Sequence, residues 1–264
     1  MFLLVGLSLV DAHFHLTDES LSDFIDLILT AIKIMRIKVC SVCVDNQTSL
    51  RSISLISHPE YRNTVAQFVG IHPSFAKRED VVKFCSMLET NIQSIDGIGE
   101  IGLDRTYTLD NYSPYPKQLE VFELMLRLAE RHHRPVSVHS RKSLDEIVQL
   151  MSTFRIQGVL LHWFSGSKKQ LERCLDRGYY ISYGPALLYS QDKQVLLKKT
   201  DKDKILIETD GPNRYSHCFG NFPALPSSFL TSVAKSAGEM LGMSYEETLQ
   251  MLTTNWCNFV NQKL

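Results

Sequence analysis

Six residues able to ligate a metal stand where apolar runs end. His13 and His15 close LVDAHFH, Glu100 lies late in IDGIGEIGL, His139 in PVSVHS, His162 in GVLLHWF, and Asp210 ends KILIETD. Imidazole and carboxylate without thiolate suit Zn, Mn or Mg. Six donors exceed the three protein ligands of a usual catalytic zinc. A carboxylate such as Glu100 can bridge two ions, and two-metal sites, with ions about 3.5–4 Å apart, suit in-line displacement at phosphorus. Each residue alone has a duller account: core histidines at 139 and 162, a strand-end carboxylate at 100, a turn former in Asp210-Gly211-Pro212. With nine histidines in the chain, an HxH pair is expected by chance roughly 0.3 times. Six such residues at matching run ends outweigh these single accounts.

Positioning them requires a common rim. Val-, Ile- and Leu-rich runs alternate with helix-period segments from end to end, the pattern of βαβ units. The expected strands are 3–13, 38–44, 64–72, 95–103, 135–140, 158–164, 179–184 and 204–210. Eight units predict a closed (β/α)8 TIM barrel, whose chemistry sits at the C-terminal ends of the strands. Residues i and i+2 share a strand face, so His13 and His15 can point together. Helices are expected at LSDFIDLILTAIKIM, YPKQLEVFELMLRLAERHHR, SSFLTSVAKSAGEML and SYEETLQMLTTNWCNFV, the last opening on a capping box at Ser244 and Glu247. No linker or repeat interrupts the series, so one domain over 1–264 is expected. The longest loop, 209–228, follows strand eight and would overhang the catalytic face.

Composition sets the remaining bounds. A hydrophobic fraction of 44% and a formal charge of −1 describe an ordinary globular chain, with no global pull toward nucleic acid or membrane. Any phosphate must then be held by a local site. MFLLVGLSLV lacks a basic start and a small-x-small cleavage site, and reads as the first core strand, not a signal peptide. No apolar stretch approaches a membrane span. The six cysteines follow no framework spacing, which predicts free thiols and a cytoplasmic protein. Cys40 and Cys43 form a CxxC inside a β-branched run, better read as buried strand than as a zinc or redox motif.

In order, AHFH, GIHP, GEIGLD, the Gln118-x3-Phe122 pair, PVSVHSR, HWFSGS, ETDGP and TTNWCNF resemble the TatD-like metal-dependent deoxyribonucleases of the amidohydrolase superfamily, from about residue 9 to 260. The resemblance implies a (β/α)8 barrel with two divalent ions. His13, His15 and Asp210 would ligate one, His139 and His162 the other, and Glu100 would bridge. Asp210 would also orient or deprotonate water. By the same resemblance His72 is a substrate-phosphate contact or minor ligand; its plain alternative is a helix-starting His-Pro. Arg141 is a candidate phosphate clamp, or else an ion-pair partner of Asp104 or Asp145. Trp163 stands where family members commonly carry a small residue, and either stacks on a base or packs against the barrel wall, with packing favoured. Asp11 and Asp104 are expected to support the ligands from outside the metal shell.

The implied function is hydrolysis of DNA ends by metal-activated water, as a 3′–5′ exonuclease leaving 5′-phosphorylated products. DNA chain ends or single strands would be the substrate, and no membrane is involved. HWFSGS and YGPA are similar to the TatD-like component of bacterial Qat anti-phage defence systems, which implies defence-system protein partners. YGPA and ETDGPNRYSHCFGNFPAL depart from the commoner family loops, which bears on substrate preference more than on metal binding. Two rival readings are a metal-dependent amidohydrolase or esterase acting on a small molecule, and a scaffold subunit of a defence complex.

Overall fold

A computed structural model describes residues 6–56, 60–62, 64–108 and 113–261. Eight strands appear in chain order: β1 Val10–Phe14, β2 Lys38–Val42, β3 Val65–Val69, β4 Gly97–Gly102, β5 Val136–His139, β6 Val159–Leu161, β7 Tyr180–Tyr183 and β8 Ile205–Ile207. All neighbours pair in parallel, in the order β1 to β8. Nine helices among the described residues alternate with and follow them: α1 Ile25–Ile34, α2 Asn46–Ile56, α3 Val81–Asn91, α4 Tyr115–Arg131, α5 Leu144–Met151, α6 Lys168–Leu175, α7 Gln191–Lys199, α8 Pro226–Leu241 and α9 Tyr245–Phe259. The result is a nearly closed (β/α)8 barrel. None of the described helices is long and apolar enough to cross a membrane.

The strands are shorter than expected. Residues 6–9 precede β1 without joining it, and residues 3–5 of the expected first strand lie outside the described residues. Past β6 the backbone leaves the strand conformation at Trp163, whose φ is 44°, and beyond β8 Asp210 takes a φ of 48°. Left-handed backbone cannot continue a ladder. His15 and His162 lie one residue past β1 and β6, and Asp210 three past β8. Cys40 and Cys43 are buried at β2 as expected, and all six cysteines are free.

The seam between β8 and β1 closes at the rim. Asp210 N donates to His13 O and His15 N to Gly211 O, both at 2.9 Å. Buried Asp11 clasps the same seam: Thr209 N and Oγ1 donate to its carboxylate at 2.9 and 2.6 Å, and His13 N at 3.3 Å. Asp11→Ala would strand buried donors, and is expected to destabilise the fold by about 2–4 kcal/mol. Thermal unfolding should show a fall of about 5–15 °C in Tm; an unchanged Tm would contradict the clasp.

At the opposite end α9 crosses the strand N-termini. Its capping box at Ser244 and Glu247 is present. Asn255 Nδ2 donates to Ile205 O at 2.8 Å and Lys202 O at 2.7 Å, and Phe259 stacks on Phe68 at 5.5 Å. TTNWCNF therefore seals the barrel floor, far from the rim chemistry. Gly102, between Glu100 and Asp104, needs its residue type: φ is 143°, and a Cβ would meet His139 O at 2.0 Å.

Candidate metal centre

Alternation along β1 aims His13 into the barrel, and the turn beyond it brings His15 alongside; the two rings lie edge to face at 4.9 Å. His13 Nδ1 is tied to Ser137 Oγ on β5 at 2.9 Å. His15 Nδ1 must donate to Val42 O at 3.0 Å, since a carbonyl only accepts. Both Nε2 atoms then face the same space. His13 Nε2 lies 3.4 Å from Glu100 Oε2 and 3.7 Å from Asp210 Oδ1, and His15 Nε2 lies 3.6 and 3.4 Å from the same two atoms. Asp210 is steadied by Asn213 Nδ2, which donates to Oδ2 at 2.8 Å.

Glu100, buried on β4, turns its other oxygen to a second set. Oε1 lies 2.9 Å from His139 Nδ1, 2.8 Å from His162 Nε2 and 3.5 Å from His72 Nε2. One carboxylate thus faces two groups of imidazoles, one group per oxygen. The structure brings all six expected ligands together, and adds His72 beside them. His139 is held from behind, its Nε2 at 2.8 Å from Asp104 Oδ2. Asp11 instead touches backbone and Thr209, behind His13.

Electrostatics follow from this packing. Burial pushes His13 down to about 4 and His72 to about 3, so both are neutral. Burial opposes charge on His15 and His139 as well, but Asp210 and Glu100 beside the first, and Asp104 and Glu100 beside the second, raise each to about 9. Burial likewise opposes the Glu100 carboxylate, yet charge and hydrogen bonds from the imidazoles packed around it hold it well below its ordinary range. Asp210 is depressed in the same manner, against burial, chiefly by His15.

The donor set fits divalent cations. Ligand bonds of about 2.0–2.2 Å place neighbouring ligand atoms about 3.0–3.6 Å apart, close to the 3.4–3.7 Å separations around His13, His15, Glu100 and Asp210. His13 Nε2 is buried and has no hydrogen-bond partner among the described residues. A buried polar atom without a partner is costly, and ligation would satisfy it.

His72 differs from the other imidazoles. Ser74 N donates to its Nδ1 at 3.2 Å, so the proton of the neutral ring sits on Nε2. That tautomer presents a donor toward the site, not a lone pair. His72 also caps the 3₁₀ turn Pro73–Phe75, so the helix-starting account and a place in the site both hold. Arg141 is exposed at the rim with no ion-pair partner among the described residues. Asp104 is engaged by His139 and Thr106, and Asp145 by Arg173 and Gln170. Trp163 stacks on Tyr215 at 5.4 Å, in a small cluster outside the main core and not against the barrel wall.

Sequence reasoning passed over Glu208 and Ser137. Glu208 is fully buried, accepts from Ser182 Oγ at 2.6 Å and Trp163 N at 2.7 Å, and its Oε2 stands 4.0 Å from His162 Nδ1. Burial raises it to about 7. The signal was present: Glu208 and Asp210 repeat the i, i+2 spacing of His13 and His15. Above the cluster opens a cavity of about 1140 Å³ lined by His15, His72, His139, His162, Arg141, Trp163 and Arg214 among others.

Comparison with known proteins bears on the family and the fold. A family model described as TatD related DNase matches residues 10–261. An uncharacterized metal-dependent hydrolase of Bacillus subtilis, YabD, is 27% identical over 254 residues, covering 94% of this chain and 96% of its own. The 3′-5′ ssDNA/RNA exonuclease TatD of Escherichia fergusonii is 28% identical over 149 residues, 54% of this chain and 56% of its own. The crystal structure of YjjV, a TatD homologue from Escherichia coli, superposes with a TM-score of 0.85 at 24% identity, covering 96% of this chain and 98% of that one.

Proposed function

The chain belongs to the TatD-related deoxyribonuclease family of metal-dependent hydrolases, and from that premise we propose that it removes nucleotides from the 3′ ends of DNA, using two divalent cations of the Mg, Mn or Zn class. The observation that carries this reading is the division of Glu100: Oε2 faces His13, His15 and Asp210, while Oε1 faces His139 and His162. Those six residues would hold the cations, with Glu100 shared. When bound, divalent cations supply Lewis-acid activation of water and offset charge on the phosphoryl oxygens.

The remaining work falls to side chains. Asp210 Oδ1, held ionised, takes the proton of the attacking water. His72 Nε2–H donates to a phosphate oxygen, and the exposed Arg141 guanidinium grips the same group. Asp104 fixes the ring of His139, as carboxylates behind ligating histidines do. Asp104→Asn is therefore expected to weaken metal affinity by about 10–100-fold, measured by competition with a chromogenic chelator; unchanged affinity would remove Asp104 from this role.

Proton competition supplies a further check. His15 and His139, raised to about 9, carry protons at pH 7, and a ligated imidazole must give one up. Cation binding should strengthen as pH rises toward about 9, with protons released. Calorimetric binding enthalpy should then vary with the ionisation enthalpy of the buffer; a buffer-independent enthalpy contradicts the release.

The deciding experiment assays the purified protein with Mg²⁺, Mn²⁺ and Zn²⁺ on end-labelled single-stranded DNA and on a panel of amide and ester substrates. Stepwise loss of 3′ nucleotides supports the proposal. Turnover of acyl substrates with DNA left intact replaces it by the amidohydrolase reading. The exonuclease name of the Escherichia fergusonii relative supports the polarity. The HWFSGS and YGPA variants support a place in anti-phage defence, tested by plaque counts on cells carrying wild-type or Glu100→Ala protein.

A further inference from the structure

Trp163 is held beside His162 against its own backbone preference. Its φ of 44° is a conformation that bulky residues other than glycine rarely adopt, and such residues persist where the surroundings fix them. The fixing groups are visible: Trp163 N donates to buried Glu208 Oε1 at 2.7 Å, and Trp163 O accepts from Ser165 Oγ at 3.0 Å. The indole lies nearly parallel to the ring of Tyr215, centroids 5.4 Å apart at 10°. Tyr215 is itself anchored, its hydroxyl donating to Thr209 O at 2.7 Å and its ring meeting Phe229 edge-on at 6.3 Å.

The two rings make a rigid slab. Its inner layer, Tyr215, is buried in the loop after β8, and its outer layer, Trp163, is half-buried and lines the cavity with His139, His162, Arg141 and Asp210. Trp163 lies in the satellite cluster of Tyr215, Ala224 and Phe229, outside the barrel core and at the edge of the cavity.

We infer that this slab is a platform for the base of the terminal nucleotide, and that it makes the site selective for unpaired strand ends. The inference rests on the nuclease reading above. Every nucleobase has a π-face, so stacking tolerates sequence while still contributing affinity. A base within a duplex is stacked and paired, whereas an unpaired terminal base is free to turn onto an aromatic ring. Arg141, on the adjoining β5 rim, supplies positive charge for the attached phosphate.

Fluorescence reads the platform without any turnover. The chain has two tryptophans, and Trp256 is fully buried, so a ligand in the cavity reaches Trp163 alone. Deoxyadenosine 5′-monophosphate has no diester to cleave; added to Mg²⁺-loaded protein, it should quench emission saturably. Deoxyribose 5-phosphate, which lacks the base, should not, and Trp163→Phe should abolish the quenching. Absent quenching, or equal quenching by the two probes, overturns the platform.

Kinetics supply the second arm. Wild type should show a KM at least about fivefold higher for a single strand with an abasic 3′ terminus than for its intact counterpart, and a similar preference for a 3′ overhang over a blunt duplex. Both ratios should collapse to about one in Trp163→Ala and recover in Trp163→Phe. A packing role alone would lower Tm and slow all substrates alike, leaving the ratios unchanged, which also overturns the platform. Failure of wild type to cut any of these DNAs sinks the nuclease reading instead, and the quenching comparison then decides the platform by itself.

Discussion

Glu100→Ala is expected to release bound cations and to lower kcat on single-stranded DNA by about 10³-fold or more, since metal ions contribute several kcal/mol of transition-state stabilisation and each 1.36 kcal/mol is tenfold. The size of the effect follows from sharing. Among the described residues Glu100 is the one carboxylate whose two oxygens approach both imidazole groups, at 3.4–3.6 Å on one side and 2.8–3.5 Å on the other. Its removal leaves five histidines facing one another without the charge that balances them. Cations would then have to bind among imidazoles with only Asp210 for compensation. Metal content by mass spectrometry and initial rates measure the outcome, with Tm to check that the barrel persists. An alanine variant that keeps its metal and works within tenfold of wild type would show that Glu100 is no bridge.

Asp210→Asn should lower kcat by about 10²–10⁴-fold, the usual worth of a positioned general base, with a far smaller change in KM. The amide keeps the shape and the contact with Asn213, but it cannot take a proton. The carboxylate it replaces lies 3.4 Å from His15 Nε2 and 3.7 Å from His13 Nε2, and is depressed below its ordinary range. It is therefore ionised throughout the neutral range, so an acid limb in the wild-type profile should arise from protonation of the histidines instead. The split between kcat and KM separates a proton acceptor from a residue that only binds substrate. If KM rises while kcat is preserved, Asp210 is a binding residue and the base lies elsewhere.

Much of this was legible in the chain because the relevant signals are local. Eight apolar runs, six of them carrying His, Glu or Asp at or near the end, predict a barrel rim, since a buried strand gains nothing from such an ending. A spacing of two at the end of an apolar run marks His13 with His15, and Glu208 with Asp210 repeats it, although the turns past β1 and β8 set how the members of each pair face. The end of the sixth strand is not legible because a left-handed residue leaves no mark in hydropathy: Trp163 looks like an extension of its run until its φ of 44° is known.

What the sequence determined by itself is therefore the element order, the parallel barrel and the six residues at its rim, all properties of periodicity over a few residues. The tertiary structure decided which atom faces which. Closure brings Asp11 to Thr209, 198 positions away, and His13 to Ser137, 124 away. It gives each oxygen of Glu100 its own group of histidines, fixes His72 as a donor through Ser74, and lays Trp163 on Tyr215. Those relations depend on side-chain rotamers and on distances set by the closing of the ring, and no local pattern encodes a distance between residues that meet only when the barrel is complete.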